Sequence, residues 1–289
     1  MFYGHIKQRE YFTRIIENGK ISTAYIFSGK AGIGKRIFAL YLAKYFFCTN
    51  SLLFEDCSCY NCQNTLKYLN SNVVFLDENN LKIDVIRQIN ELAYLTTGDT
   101  HRFIIMDNAH KLTKQAANAF LKTLEEAPAN IIFILITSKY MNILPTIRSR
   151  CIKIPFDRLS DNSLAKILTA LGFIDQANDV IAAAAGSVSA AIKYITIAKT
   201  VSIKDYIENK KLEELAEIFE NIIEKDALID IMTLLILYLY DKYKINNNIK
   251  YLNLTEYVLD LINKLDFNVN IEMIKYLVFI KIAEVANGL

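Results

Sequence analysis

The first half of the chain alternates short apolar runs with stretches of helical periodicity, which is the pattern of a parallel sheet with crossover helices. Helical spacing predicts helices at 37–47, at 83–95 and from Thr113 to the residue before Pro128. The apolar runs between them read as five strands, at residues 24–27, 73–76, 103–106, 131–136 and 151–154. We therefore predict an α/β fold for this half.

Beyond Ser160 the strand pattern disappears, and the remaining sequence reads as helices. Three short helices are predicted first, at 162–171, 176–185 and 187–198. From about residue 201 to the end, every segment is amphipathic or apolar helix, with a polar break at 246–248. The predicted fold class is thus α/β followed by all-α, divided into domains at 1–157, 158–200 and 201–289.

The most apolar stretch, residues 227–240, is interrupted by Asp230 and is too short to cross a bilayer, so we predict a core helix there. The N-terminus has no basic segment followed by an apolar run and a small-residue cleavage site, which predicts a cytoplasmic protein without a membrane partner.

Composition limits the classes of function. The chain has 289 residues, of which 53% are hydrophobic, enough for two or three packed domains. Its 33 basic and 31 acidic side chains give a net charge of +2. This balance is not a nucleic-acid signature over the whole chain, so any DNA contact is expected to be local or shared with partners.

Residues 29–36 read GKAGIGKR, which is a phosphate-binding loop complete in every position except the last. The loop follows a predicted strand and opens a predicted helix, which is the context that the motif requires. Gly29, Gly32 and Gly34 provide backbone flexibility, and Lys35 provides a cation for phosphate. The alternative is an accidental glycine-rich turn.

Two departures from the usual motif residues affect the expected hydrolysis of ATP. Arg36 stands where a Ser or Thr hydroxyl would bind magnesium, and a guanidinium has no lone pair for the ion and repels it. Arg36 can also occupy phosphate space itself. The third strand ends in Asp107, which could order magnesium, but Asn108 stands where a Glu would activate water, and an amide cannot act as a general base. We expect no ATP hydrolysis and leave ATP binding open.

Simpler interpretations of this segment stay open. Asp107 can be an ordinary turn residue at a strand end, and His110 a polar group at a helix start. We assign no catalytic role to His110.

Four of the five cysteines form a C-x8-C-x-C-x2-C cluster between the predicted helix 37–47 and the second strand. In a reduced compartment, four thiolates this close are most simply a closed, structural zinc site. The alternative is that some are free thiols. Cys151 lies apart from the others and is expected to be buried. The predicted zinc ligands are Cys48, Cys57, Cys59 and Cys62.

Two arginines, Arg148 and Arg150, lie just before the fifth strand. On the residues alone they could form a solvated helix end. A rigidly placed arginine at the edge of an α/β domain could equally be an arginine finger, a cation donated to the γ-phosphate of a neighbouring subunit. The pattern by itself leaves these alternatives open.

The order of these motifs resembles the bacterial clamp-loader AAA+ subunits of DNA polymerase III. The resemblance is clear over about residues 1–200 and positional beyond. It is carried by YIFSG at 25–29, the four-cysteine insertion at 48–62, KID at 82–84, NAFLKTLEEAP at 118–128 and SRC at 149–151. It implies an AAA+ P-loop parallel-sheet domain, a small helical lid domain and a C-terminal helical collar.

The resemblance also implies site residues and partners. Active motor subunits of the family carry a loop Thr, an acidic pair after the third strand and a sensor Arg, where this chain has Arg36, Asn108 and Ser189. With these three groups replaced, the chain resembles the delta-prime type of subunit. That type does not hydrolyse ATP, and it provides its Ser-Arg-Cys arginine, here Arg150, to a neighbouring ATPase. Implied partners are gamma/tau-type and delta-type subunits and, through the complex, the sliding clamp and primer-template DNA.

Zinc is implied too, although the family spacing resembles C-x8-C-x2-C-x2-C, whereas one residue separates Cys57 from Cys59 here. Two alternative functions stay open. One is an active gamma/tau-type ATPase with an atypical magnesium site. The other is a zinc-stabilised DNA-binding module without a loader role, which the balanced charge disfavours.

Overall fold

In the computed structural model, the five apolar runs form one sheet in which every neighbouring pair of strands is parallel. The strand order is β2-β3-β4-β1-β5. The predicted strands are confirmed, with ends that differ by at most one residue. They are β1 (Ala24–Ser28), β2 (Val73–Leu76), β3 (Arg102–Met106), β4 (Ile131–Thr137) and β5 (Ile152–Pro155).

Both faces of the sheet are covered by helices, which explains why β1 and β4 are buried along their whole length. Phe27 packs on one face with Phe12 and Phe38. Ile26, one residue earlier, packs on the opposite face with Phe120. The helices of this region are α1 (Ile6–Glu17), α2 (Lys35–Phe47), α3 (Tyr60–Leu66), α4 (Ile83–Tyr94), α5 (Lys114–Glu126), α6 (Pro145–Arg148) and α7 (Asp161–Ala170).

Helices α2, α4 and α5 confirm the predicted ones, and Thr113 caps α5 by accepting a hydrogen bond from the Ala116 N–H. The sequence pattern did not predict α1 or α3. Helix α3 contains Cys62 and is preceded directly by Cys59, so the cysteine insertion is partly helical.

The strand register brings the carboxyl ends of the central strands level with one another. Ser28, the last residue of β1, lies opposite Thr137 of β4 and Pro155 of β5. The loop that follows β1 therefore begins between the ends of two neighbouring strands, and Asp107 follows β3 one strand further along.

The structure describes residues 2–94, 100–173, 178–200, 207–265 and 270–287. These divide into two compact units, Met1–Ile167 and Leu168–Leu289, with the division falling inside α7. The three-domain division at 157 and 200 stays a prediction. Residue 95, the predicted end of one helix, and residues 176–177, the predicted start of another, lie outside the described part of the chain.

All regular secondary structure among the described residues of the second unit is helical, as predicted. Helix α11 packs against α8, α9, α12 and α13 around one apolar core. The predicted polar break is confirmed, because α11 ends at Asn246 and Asn247 has a left-handed backbone. The helices are α8 (Asn178–Ala184), α9 (Val188–Thr200), α10 (Leu212–Glu220), α11 (Lys225–Asn246), α12 (Ile249–Leu265) and α13 (Ile271–Ala286).

Asp230, which interrupts the most apolar stretch, is buried in α11 and pairs with the Lys193 ammonium at 2.5 Å. A buried carboxylate needs such a partner. The prediction of a core helix here is confirmed. Among the described residues, no helix is both long enough and apolar enough to span a membrane.

Candidate nucleotide-binding and metal sites

The glycines of the phosphate-binding loop occupy positions that side chains could not. A Cβ on Gly29 would lie 2.2 Å from the Phe156 carbonyl oxygen, so only glycine fits beside the end of β5. Gly32 and Gly34 have φ of +75° and +99°, in the left-handed region that glycine adopts without strain. The loop leads directly into α2 at Lys35. The predicted strand, loop and helix are therefore present in order.

Lys35 is buried and its ammonium is folded onto the loop itself. Its Nζ donates hydrogen bonds to the carbonyl oxygens of Gly29, at 2.7 Å, and Lys30. Burial lowers the pKa of Lys35 to about 8, and the charge of Asp107 partly opposes this shift. A phosphate entering the loop would have to replace these carbonyls as the partner of the ammonium.

Arg36 is exposed, and its guanidinium lies over the ring of Phe75 from β2, 5.6 Å from the ring centroid. Such a cation-π contact holds the side chain against the neighbouring strand. Since the position carries no hydroxyl, it supplies no ligand for magnesium.

The ends of β3 and β4 contribute three polar side chains. Asp107 Oδ1 accepts a hydrogen bond from the Asn108 N–H at 2.9 Å, and Asn108 itself has φ of +51°. The Thr137 hydroxyl accepts from the Lys139 N–H and shares a hydrogen bond with His110 Nδ1 at 3.1 Å. Sequence reasoning missed this contact, although a polar residue ending an apolar strand was the available signal.

His5 is a second residue that sequence reasoning missed. It lies buried behind the loop, where its Nε2–H donates to the Ile33 carbonyl oxygen at 2.7 Å and its ring packs edge-on against Phe156. Burial lowers the pKa of His5, while the Ile33 carbonyl opposes the shift. The neutral ring thus supports the loop from behind. No local sequence pattern could have revealed a contact across 28 residues.

Ser189, which the resemblance alone places at the position of a sensor arginine, lies in the first turn of α9 in the second unit. Its hydroxyl lies 3.3 Å from that of Ser187, which accepts a hydrogen bond from the Ala190 N–H and so caps the helix. A short neutral hydroxyl in this place cannot reproduce the charge of a guanidinium.

The four clustered cysteines come together in space. Their sulfur atoms all lie within 4.8 Å of one another, including those of Cys57 and Cys59. A tetrahedral zinc ion with Zn–S bonds of about 2.3 Å needs sulfur atoms about 3.8 Å apart, so a small closure around a metal suffices. Among the residues that the structure describes, these four could hold a metal ion, and Cys151 is not among them.

The pKa values of two thiols in the cluster are shifted in opposite directions. Backbone hydrogen bonds from Thr49 and Cys62 lower the pKa of Cys59 to about 6. Burial raises the pKa of the Cys62 thiol, which is fully enclosed. A metal ion would replace the proton that the buried thiol otherwise keeps.

The segment between Cys48 and Cys57 is fastened to α2. Lys44, fully buried, donates from Nζ to the Glu55 carbonyl oxygen, and the Tyr41 hydroxyl donates to Asp56 at 2.8 Å. The buried ring of Phe54 packs against Phe38, with centroids 4.6 Å apart. The cysteine cluster is thereby attached to the helix that begins at the phosphate-binding loop.

Arg150 lies at the turn between α6 and β5 and is partly exposed. Its Nε donates to Glu125 Oε1 at 2.6 Å, and its Nη1 donates to the Thr146 carbonyl oxygen at 2.9 Å. Arg148 instead lies over the ring of Tyr140. Cys151 is half-buried beside them, and burial raises its pKa to about 12.

A phosphate-binding loop after the first strand of a parallel sheet ordered β2-β3-β4-β1-β5, with an acidic residue after β3, defines a P-loop protein of the AAA+ type. The sequence model of the family described as DNA polymerase III, delta subunit, matches residues 4–160. This match covers more than half of the chain, and the protein belongs to that family.

Curated relatives are similar over the same region. DNA polymerase III subunit tau of Bacillus subtilis is 35% identical over 163 residues, which are 54% of this chain and 29% of tau. The subunit delta' of Bacillus subtilis is 36% identical over 153 residues, 52% of this chain and 46% of that protein. The matched part of the chain thus spans less than half of either relative.

A solved structure, that of a DNA polymerase III gamma subunit-related protein from Thermotoga maritima, matches the fold along nearly the whole chain. It covers 96% of this chain and 99% of that protein, with a TM-score of 0.50 and 19% sequence identity. At this identity the likeness concerns the fold, and it includes the helical second half.

Proposed function

We propose that the chain is a delta-prime-type subunit of a DNA polymerase III clamp loader, which loads the sliding clamp onto primed DNA and in which this subunit does not hydrolyse ATP. The main observation behind this proposal is that the loop backbone is complete, whereas its magnesium-binding position is occupied by Arg36, whose side chain lies against Phe75. Asn108 after β3 and Ser189 at the start of α9 support the same proposal. Hydrolysis would thereby lack the metal ligand at Arg36, the general base at Asn108 and the sensor cation at Ser189.

In this proposal the contribution of the chain to ATP chemistry lies in a neighbour's site, through Arg150 acting as an arginine finger. Three features support this role. The residue is partly exposed at 37% of its side chain, it belongs to the Ser-Arg-Cys segment of the family, and it is anchored by backbone at a turn. A guanidinium delivered to a γ-phosphate stabilises the charge that develops in phosphoryl transfer.

The proposed partners are gamma/tau-type ATPase subunits and a delta-type subunit, with clamp and primer-template DNA reached through the assembly. Residues 158–200 would form a small lid and residues 201–289 a collar that holds the subunits together. Exposed apolar side chains on α13, among them Met273 and Tyr276, support a role of the collar in assembly.

We also propose that the cysteine cluster holds one structural zinc ion. Four sulfur ligands leave no position open for water or substrate, which is the coordination of a structural rather than a catalytic site. ATP can be held by the loop amides and Lys35 only if the ammonium leaves its carbonyl partners, so tight nucleotide binding is not part of the proposal.

The test compares ATPase activity of the purified chain with that of the assembled clamp loader. The chain alone should show no turnover with ATP and magnesium, and the complex should lose DNA-stimulated turnover when it carries Arg150→Ala. Arg148→Ala is the matched control, since Arg148 is two residues away and contacts Tyr140 instead. Full activity of the Arg150→Ala complex would refute the finger.

The second candidate function is an active gamma/tau-type ATPase with an unusual magnesium site. The intact loop glycines, the loop lysine, Asp107 and the similarity to subunit tau favour it. Turnover by the chain alone that disappears in Lys35→Ala would establish this alternative.

A further inference from the structure

Glu125 and Arg150 form an ion pair between two separate elements of the first unit. Glu125 lies near the end of α5, and Arg150 follows α6. Both Nε and Nη2 of Arg150 contact the same carboxylate oxygen, Glu125 Oε1. In the sequence, Glu125 and Arg150 belong to separate motifs, residues 118–128 and the Ser-Arg-Cys segment. The structure joins these two motifs through this contact.

The remaining contacts of Arg150 are made by a different nitrogen of the guanidinium, Nη1. Nη1 donates to the Thr146 carbonyl oxygen at 2.9 Å, and the Ser149 hydroxyl lies at 3.4 Å, beyond the usual hydrogen-bond range. A guanidinium has five N–H donors in a planar fork. Glu125 takes the edge formed by Nε and Nη2, and Thr146 takes one donor of Nη1. One N–H on each Nη remains beyond these contacts, and the end-on edge, formed by Nη1 and Nη2, is not the one that Glu125 occupies.

Some N–H groups of Arg150 are therefore used to fix the guanidinium, and others remain to bind an anion. The edge formed by Nε and Nη2 is fixed by Glu125, Nη1 is bonded to the backbone, and the side chain as a whole stays partly exposed. Two N–H groups side by side match two oxygens of a phosphate group, which is the geometry in which arginine binds phosphate most strongly.

We propose that Glu125 is a positioning residue for Arg150, and that it holds the end-on edge of the guanidinium outward for the γ-phosphate oxygens of a nucleotide bound to the neighbouring subunit. This inference rests on the proposed function. Without Glu125, the long side chain of Arg150 would sample many rotamers, and the transition state would have to order it at an entropic cost.

The pair is poorly placed to serve stability. Its side chains are 37% and 49% exposed, and ion pairs this exposed contribute little to folding. Variants of Glu125 should therefore fold and assemble normally, so that a change in ATPase rate reports on Arg150. Gel filtration of the complex and thermal unfolding of the chain verify this before kinetics are measured.

The experiment is a double-mutant cycle in the reconstituted clamp loader, with Glu125→Ala, Arg150→Ala and the double variant. Arg150→Ala sets the floor, because the finger of this chain then contributes nothing. We expect Glu125→Ala to lose at least about two thirds of the Arg150-dependent kcat with an unchanged KM for ATP, since the lost interaction acts in the transition state. The double variant should equal Arg150→Ala.

Two further variants separate positioning from a general charge effect. Glu125→Gln keeps an acceptor oxygen for Nε and Nη2, and should retain most of the rate. Glu126→Ala removes the next negative charge on the same helix end and leaves both residues of the Glu125–Arg150 ion pair in place, and it should match the wild type.

The outcomes distinguish the inference from the proposed function. If Arg150→Ala behaves as wild type, the finger itself is refuted. If Arg150→Ala is impaired but Glu125→Ala is not, or if the two losses multiply, the finger stands and the positioning role is refuted. A rate above wild type in Glu125→Ala would also refute positioning, because Glu125 would then compete with phosphate for Arg150.

Discussion

Arg36 decides what the phosphate-binding loop can do, because it takes the position of the magnesium ligand. The cation is attached to Phe75 on β2 and lies at the surface, so its replacement disturbs no buried contact. The backbone of the loop is intact around it. Under the proposed function, the missing magnesium ligand is therefore a matter of one side chain, and the missing base a matter of Asn108.

We expect Arg36→Thr to restore magnesium-dependent nucleotide binding without restoring hydrolysis. The hydroxyl supplies the missing ligand, which should tighten ATP binding by about tenfold when magnesium is added, or about 1.4 kcal/mol. Hydrolysis stays absent because Asn108 cannot act as a base. Titration calorimetry with and without magnesium measures the gain.

Arg36→Lys is the matched control, since it keeps a positive charge and offers no oxygen, and it should show no gain with magnesium. An equal magnesium dependence in the unaltered chain would contradict this account of Arg36.

His5 should make the stability of the first unit depend on pH. Because burial lowers its pKa in the folded state, the unfolded chain takes up a proton first, near pH 6.5. The contribution of His5 to the free energy of unfolding is complete above about pH 6.5. It is lost as the pH falls toward the lower pKa of the folded state, and the free energy of unfolding then changes by at most about 1.4 kcal/mol per pH unit.

Urea unfolding at pH 7.5 and 5.5, for the wild type and for His5→Gln, tests this. The difference between the two proteins should shrink at the lower pH. His101, whose pKa burial also lowers, is present in both and cancels. Parallel pH profiles would show that His5 does not contribute.

The residues that sequence alone identified are those whose chemistry depends on local spacing. Gly29, Gly34 and Lys35 could be assigned because a strand, a turn and a helix start follow one another within a few residues. The Glu125–Arg150 contact joins positions 25 residues apart. It depends on how α5 and α6 pack, which local periodicity does not determine.

At the scale of elements, the cysteine cluster connects α2 to α3. Cys48 follows the last turn of α2, and Cys59 caps the start of α3. The cluster was predicted from spacing, but α3 was not, since seven residues with few apolar positions give little helical pattern. The packing of Phe54 and the buried Lys44 could not be foreseen, because both depend on the path of the chain between two cysteines.

We expect the purified chain to contain one zinc ion, and its removal to loosen the segment 48–66. Loss of the metal leaves a buried thiol and frees the segment that places Phe54 against Phe38. The melting temperature should fall by several degrees, since a loss of about 1 kcal/mol already shifts it by about 2–4 °C in a domain of this size. Metal analysis and thermal unfolding, with and without chelator, measure both effects.

Cys62→Ser should reproduce the effect of the chelator, whereas Cys151→Ser should retain the metal, because Cys151 lies outside the cluster. A chain that contains no zinc and whose melting does not respond to chelator would contradict the metal assignment.

At the scale of the whole molecule, the family model matches a shorter part of the chain than the similar solved structure does. The match ends at residue 160, whereas the fold resemblance extends through the helical second unit. The sequence match to the family is therefore confined to the first unit. The second unit has an apolar helical core, and the Ser187 hydroxyl caps its helix α9 by accepting a hydrogen bond from the Ala190 N–H.

The balanced charge of the chain leads to a prediction about DNA. With a net charge of +2, the isolated protein should bind primed DNA no more tightly than the non-specific range of about 10⁻⁴ to 10⁻⁶ M at physiological salt. The assembled complex should bind it more tightly, because several subunits then share the contacts. Fluorescence anisotropy over a salt series measures both affinities and the number of phosphate contacts. A steep salt dependence with tight binding by the chain alone would instead favour the zinc-stabilised DNA-binding module, because only a concentrated local cationic surface could release that many counterions.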